Sequence, residues 1–299
     1  MVKRVLVTGA NGLLGQAVVN TFTRESDIEI ISTSVEEKSY LDAGHKYIKL
    51  DITNKSDVKK IVAECKPDAI VNCAAFTDVD KCETERETCW KLNVDAVKNL
   101  IIASRPGDIK IIHYSTDYIF DGKNGPYKED ATPNPVSFYG RSKLASENAL
   151  TTSGIKYAII RTMVLFGVGV KVKANFASWL VNELKNKRNV NIVDDMIGNS
   201  TIVDDLAYGS LKIIESGKSG VFNIAGKDIE TRLEFTFKLC DVFNFDKTLV
   251  NITKTKNLNQ AAARPLNSGL ITFKAETELG LKLMDTIESL RLLKYQMGY

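Results

Sequence analysis

Histidine is nearly missing from this chain: His45 and His113 are the two found in 299 residues. That scarcity leaves histidine-rich metal sites and most Ser/His/Asp schemes little to work with, so no metal site is expected. The five cysteines, Cys65, Cys73, Cys82, Cys89 and Cys240, are odd in number and show no CxxC spacing. This argues against a disulfide framework or a zinc knuckle and fits a reducing cytoplasm. Long apolar runs are lacking as well. The opening MVKRVLVTGANG is too short in apolar residues for a signal-peptide core, and nothing later approaches the ~20 of a membrane span. A soluble, cytoplasmic protein without membrane contact is the expectation. Nor does one charge dominate: 40 Lys and Arg face 37 Asp and Glu, and the basic residues are scattered, which gives no sign of a nucleic-acid arm.

What is present is an alternation. The apolar runs RVLVTG, IEIIST, DAIVNCAA, IKIIHYST and KYAIIRT are separated by helical patterns such as Leu13 to Thr23 and Lys55 to Glu64. Strands apolar throughout and spaced by helices predict a doubly wound, Rossmann-like α/β fold with a parallel sheet. After Arg161 the pattern loosens, and one helix (DDLAYGSLKIIES) and one strand (GVFNIAG) return to the sheet late. This divides the chain into a dinucleotide-binding domain, 1–164 plus 200–226, and a smaller discontinuous substrate lobe, 165–199 plus 227–299. A cleft between them is the expected substrate site.

The first strand runs into TGANGLLG, with glycines at 9, 12 and 15. Glycine lets the backbone turn sharply and approach a pyrophosphate, and the following helix points its N–H groups at that anion. Gly9, Asn11, Gly12, Leu13, Leu14 and Gly15 are therefore candidate cofactor contacts. A carboxylate at the end of the second strand marks NAD. Here Ser32, Thr33 and Ser34 stand instead and could donate to a 2′-phosphate, so NADP(H) is favoured and NAD(H) stays open, with Glu36 and Glu37 close behind. Asp51 and Ile52, after a third strand, are candidates for the adenine edge, although an N-cap or turn role suits Asp51 equally.

In FYGRSKLASENAL, Tyr139 and Lys143 sit at i and i+4 of a helix that begins beside a loop, so both can face one cleft. Reduction of a carbonyl needs a proton donor. A phenol of ordinary pKa ~10 serves better with a cation beside it to lower that value. The strand IKIIHYST ends in Ser115 and Thr116, whose hydroxyls would emerge where parallel sheets bind ligands. A hydrolase built on Ser115 and His113 has neither a GxSxG elbow nor a third triad member.

The glycine loop, the Ser-Thr strand end and YxxxK in this order resemble the extended branch of the short-chain dehydrogenase/reductase superfamily over essentially the whole chain. Within it, VNCAAFTDVDKCE, HYSTDYIFDG, PVSFYGRSKLASE, VDDMIGNSTIVDDLA and AARPLNSGL are similar to the dTDP-4-dehydrorhamnose reductase family. The resemblance implies reduction of the 4-keto group of a nucleotide sugar, most readily dTDP-4-dehydro-L-rhamnose. By it, Thr116 polarises the carbonyl, Tyr139 protonates it, and Lys143 tunes Tyr139 and holds the nicotinamide ribose. Thr77, Val79, Asp117 and Tyr118 would line the sugar pocket, and Cys73, Ala74 and Ala75 would flank the cofactor. Related dehydratases carry a glutamate where Tyr118 stands, so a reductase is favoured over a dehydratase. A 4-epimerase is disfavoured by the whole-chain likeness alone. Relatives also include a non-catalytic regulatory subunit of methionine adenosyltransferase, a reading that keeps the nucleotide and loses turnover.

There is one departure. The resemblance leads one to expect an aromatic after Arg161-Thr162, and Val164 stands in its place, which leaves the sugar open. Arg264 is read as approaching a diphosphate or as holding the tail. Asn93, His113, Trp90 and Trp179 receive structural readings. The last helix, with Ile287, Leu290, Leu293 and Met297 at helical spacing, is expected on its own lobe, a homodimer contact being the alternative.

Overall fold

Strands without a polar face must be covered on both sides, and the order of elements supplies the cover. In the computed structural model, which describes residues 3–42 and 44–299, β1 (Arg4–Thr8) runs into α1 (Leu13–Glu25), followed by β2 (Glu29–Ser34), β3 (Lys46–Lys49), α2 (Lys55–Cys65) and β4 (Ala69–Asn72). The short helices α3 (Val79–Thr84) and α4 (Arg86–Trp90) lead to α5 (Ala96–Ser104), β5 (Lys110–Thr116), α6 (Phe138–Thr151) and β6 (Tyr157–Thr162). The second half adds β7 (Leu165–Phe166), α7 (Phe176–Lys185), β8 (Val190–Val193), β9 (Ile197–Gly198), β10 (Thr201–Ile202) and α8 (Val203–Ser216). Then come β11 (Gly220–Asn223), β12 (Glu230–Thr231), α9 (Arg232–Phe243), β13 (Val250–Thr253), α10 (Phe273–Leu279) and α11 (Thr286–Gln296).

Seven strands form one parallel sheet in the order β11-β6-β5-β4-β1-β2-β3. The chain reverses its direction of travel between β1 and β4, and at such a switch point a crevice opens beyond the carboxyl ends of the strands. Register aligns Thr8 with Asn72 and Asn72 with His113 across β1, β4 and β5. One face of the sheet is covered by α1 and α8 over Val5, Val7, Ile112 and Ile160, the other by α2 and α5 over Leu6, Ile70, Ile111 and Ile159. β4 and β5 are buried at every position.

A separate core joins Phe166, Leu180, Ile192, Phe235, Leu239, Leu290 and Leu293 from α7, β8, α9 and α11. The last helix thus packs inside its own lobe. Ala275, Leu279, Leu281 and Leu283 lie instead in the core under α1 and α8, so residues 273–283, assigned by the sequence to the second lobe, pack against the sheet layer. There α10 packs against α8 and β11, and its apolar residues join Leu206, Ala207 and Leu211. No helix among the described residues is long and apolar enough to cross a membrane.

Candidate active site

The turn after β1 is shaped by two glycines. Gly9 has φ +65°, and a Cβ on it would stand 2.7 Å from the Ala74 nitrogen; on Gly15 it would stand 2.2 Å from the Gly9 oxygen. Larger residues cannot hold this close approach. Gly12 caps α1 without a side-chain hydrogen bond, so the start of the helix is left to serve the cleft, whose wall includes Asn11, Gly12, Leu13 and Leu14. Gln16 closes this end. Its amide donates to the Val170 oxygen (2.9 Å) and accepts from the Val170 nitrogen (2.8 Å), strapping residues 167–174 across α1.

The hydroxyls of β2 behave otherwise than the sequence suggested. Thr33 Oγ1 donates to the Val7 oxygen (3.2 Å), and Ser32 Oγ reaches towards the Lys46 oxygen (3.5 Å). Both side chains are fully buried in the sheet and are not available to a ligand. Ser34 is buried too, and it donates to Glu36 (2.5 Å), which also accepts from Asn11 Nδ2 (3.1 Å). Burial would push the Glu36 carboxyl up, but the Ser34 and Asn11 hydrogen bonds outweigh it and hold it below the usual range. The carboxylate missing from the strand end is thus supplied by a residue folded back onto the cleft wall. Asp51 is exposed and accepts from the Thr53 nitrogen (2.9 Å). Ile52 is buried in the core beneath α2 and α5, with its carbonyl taken by Asn99. Ala74 lies under Gly9, whereas Cys73 and Ala75 are on the wall.

The cleft, about 940 Å³, brings together Thr77, Val79, Thr116, Asp117, Tyr118, Tyr139 and Lys143. Ser137 caps α6 by accepting from the Gly140 nitrogen (3.1 Å), which places Tyr139 in the first turn. Gly140 lets that turn close on the backbone of Tyr118, whose ring meets Tyr139 edge-on with centroids 5.6 Å apart. Thr116 Oγ1 donates to Asp117 Oδ1 (3.0 Å), and Ser268 Oγ donates to Asp117 Oδ2 (2.5 Å). Burial raises the Asp117 carboxyl to about 6 in spite of these bonds.

Burial also pushes the Tyr139 phenol well above its ordinary value; the Asp117 charge adds to this, and a hydrogen bond with Thr116 opposes it. Lys143 is turned elsewhere, with Nζ 3.2 Å from His113 Nε2. The expected lowering of the phenol by Lys143 is therefore not seen, because the ammonium is held in a buried polar chain. His113 Nδ1 lies 3.1 Å from Asn72 Nδ2, and Thr8 Oγ1 donates to Asn72 Oδ1 (2.6 Å). Burial lowers Lys143 to about 8, against the pull of Glu147, and keeps His113 neutral. His113 thus touches a cleft residue, which its place in an apolar strand did not reveal. Asn93 clamps the loop after β4, bonding Phe76 at both its nitrogen (2.8 Å) and its oxygen (3.0 Å), and donates to Ser142 on α6 (3.0 Å).

Val164 and Arg232 form the wall on the side of the second lobe. Arg264 is committed: both its Nη atoms contact Asp80 at 2.7 Å, which pins the tail to α3 and matches the holding role. Buried hydroxyls of Ser115 and Thr162, at the ends of β5 and β6 on the same wall, have no partner among the described residues.

A crevice at the switch point, with a hydroxyl, a phenol and an ammonium on its wall, defines a Rossmann-like NAD(P)-dependent oxidoreductase. The chain belongs to the dTDP-4-dehydrorhamnose reductase family: residues 3–296 match the family model described as "RmlD substrate binding domain". It is 34% identical to a probable low-salt glycan biosynthesis reductase, Agl14, of Haloferax volcanii, covering 92% of this chain and 91% of that one. With a dTDP-4-dehydrorhamnose reductase of Aggregatibacter actinomycetemcomitans it shares 31% identity over 97% and 98%. The methionine adenosyltransferase 2 subunit beta of Danio rerio is 30% identical over 95% and 87%. Among solved structures, a dTDP-4-dehydrorhamnose reductase of Clostridium acetobutylicum superimposes with a TM-score of 0.89 at 33% identity, covering 99% and 100%. One from Bacillus anthracis, in complex with NADP, gives 0.87 at 30%, also covering 99% and 100%.

Proposed function

We propose that this protein reduces the 4-keto group of a nucleotide sugar with NADPH, and that dTDP-4-dehydro-L-rhamnose is the substrate. The observation that carries the reading is the convergence of Thr116, Tyr139 and Lys143 in one cleft beside the glycine turn. The residues fit a dinucleotide: Gly9 and Gly15 let the turn close tightly on Ala74 and on itself so that the start of α1 faces the cleft, and Ser115 and Thr162 have unsatisfied hydroxyls. When bound, the reduced nicotinamide supplies the hydride. The NADP held by the Bacillus anthracis relative supports NADP(H), and Glu36, beside the end of β2, is the feature through which NAD(H) is also accepted.

The chain's own groups do the rest. Thr116 holds the ketone oxygen and Tyr139 gives it a proton. Burial keeps the phenol protonated at neutral pH, so the donor is always loaded. Lys143, held at the cleft wall by His113, is the group that would hold the nicotinamide ribose. Thr77, Val79, Asp117 and Tyr118 form the sugar pocket, and Val164 leaves more room there than an aromatic would.

The test is loss of NADPH absorbance when purified protein meets dTDP-4-dehydro-L-rhamnose, with Tyr139→Phe as the control. Substrate-dependent oxidation is expected, reduced about 100-fold or more in the variant. Equal rates in both proteins, or no oxidation by the native one, would overturn the assignment. The methionine adenosyltransferase 2 subunit beta relative motivates a second reading, that of a nucleotide-binding regulatory subunit. It predicts no NADPH consumption and a stable complex with another protein.

A further inference from the structure

Arg232 is a cation in a place where folding gives no reason for one. It is the first residue of α9, a 12-residue helix, where the macrodipole is positive and a carboxylate would be the stabilising choice. None of the ion pairs found among the described residues includes it. Its Nη1 is buried with no hydrogen-bond partner, and the rest of the guanidinium lies over the Phe176 ring, 4.9 Å from the centroid. The Asp117 charge acts on Arg232 through space, but the nearby carboxylates make their hydrogen bonds and ion pairs elsewhere. Asp117 takes Thr116 and Ser268, while Glu230 takes Thr286 (2.6 Å) and Lys238 (2.6 Å). Arg232 is half-buried, and a guanidinium nitrogen left buried and unpaired is costly; such groups gather where a ligand completes them.

The geometry around it points the same way. Arg232 lines both the main cleft and a side cavity of about 20 Å³ that it shares with Asp117, Tyr118 and Val164. Val164 has φ +48°, a left-handed conformation that is strained for a β-branched residue and is typical of functional walls. In a pyranose, C1 lies across the ring from C4. With C4 presented to Thr116 and Tyr139, the group on C1 leaves towards the far wall. The other cations of the cleft lie elsewhere: Lys143 behind Tyr139, Lys81 on α3, and Lys171 and Lys173 on the strap over α1.

We infer that Arg232 is the anchor for the diphosphate of the substrate, with the amino end of α9 adding its positive pole to the guanidinium. This rests on the nucleotide-sugar reading above but not on which base or sugar is bound. The test uses protein saturated with NADPH, which occupies the cofactor's own phosphate sites, titrated calorimetrically with dTDP, UDP, GDP, CDP and ADP.

At least one diphosphate is expected to bind the native protein, and Arg232→Gln is expected to weaken it roughly 30-fold or more while NADPH affinity stays within about twofold. Arg232→Lys, which keeps the charge and loses the planar fork, serves if the glutamine variant fails to fold; a loss of about 10-fold is expected there. Binding undiminished in a folded variant, or no diphosphate bound by the native protein, overturns the inference. The outcome separates from that of the substrate assay. If dTDP-4-dehydro-L-rhamnose is not reduced but another diphosphate binds through Arg232, the sugar assignment falls and the anchor stands.

Discussion

Asp117 shows how single residues set the terms of this cleft. Its carboxyl is raised by burial to about 6 from an unfolded value near 3.8. A raised carboxyl contributes its full stability below the unfolded pKa and loses it as pH rises through the folded one. Asp117→Asn, which cannot ionise, should therefore gain on the native protein between about pH 4 and pH 6, by up to roughly 3 kcal/mol, with no further change above pH 7. Melting temperatures of both proteins across that range check this; a constant difference would show that the carboxylate is not desolvated. That Thr116, Tyr139 and Lys143 share one cleft was legible in the sequence from a strand end and an i, i+4 pair. Glu36 was noted only as a neighbour of the β2 hydroxyls, and the places of His113 and Arg232 on or behind the cleft wall were not legible, since they depend on which distant segments face them. Ser32 and Thr33 misled for a related reason: a parallel sheet buries both faces of β2, and the hydroxyls bond the neighbouring strands.

At the scale of elements, α6 is the part on which the site depends. A Cβ on Gly140 would stand 2.1 Å from the Tyr118 oxygen and 2.9 Å from its carbonyl carbon. These are backbone atoms that cannot move without displacing the turn after β5. Gly140→Ala should cost about 1–3 kcal/mol and should lower turnover by shifting Tyr139 away from Thr116. A thermal melt together with the NADPH assay decides it, native-like values in both contradicting the close contact. Farther along α6, Glu147 forms a two-pronged buried pair with Arg161 of β6 (2.8 and 3.1 Å), locking the helix to the sheet. The helix and its tyrosine were readable from composition and spacing. The Glu147–Arg161 pair was not, because its members come from elements that only the fold brings side by side.

The described residues form a parallel sheet and a separate core built from α7, β8, α9 and α11, and the sheet was the most legible part. Continuous apolar strands separated by helices admit few other arrangements. The remainder was less so. The segment 273–283 lies on the sheet side, and the strap at 167–174 is fixed by Gln16, a contact across 154 positions. Only the assembled cleft relates Thr116 and Tyr139 to Val164 and Arg232, and the central claim is that a sugar ketone is reduced within it. The most direct measurement follows the hydrogen itself, using NADPH carrying deuterium in both positions on the reactive carbon of its nicotinamide, with dTDP-4-dehydro-L-rhamnose. The account predicts deuterium at C4 of the product sugar, one atom for each NADPH consumed. Deuterium at another position, or NADPH consumed with none in the sugar, would contradict it.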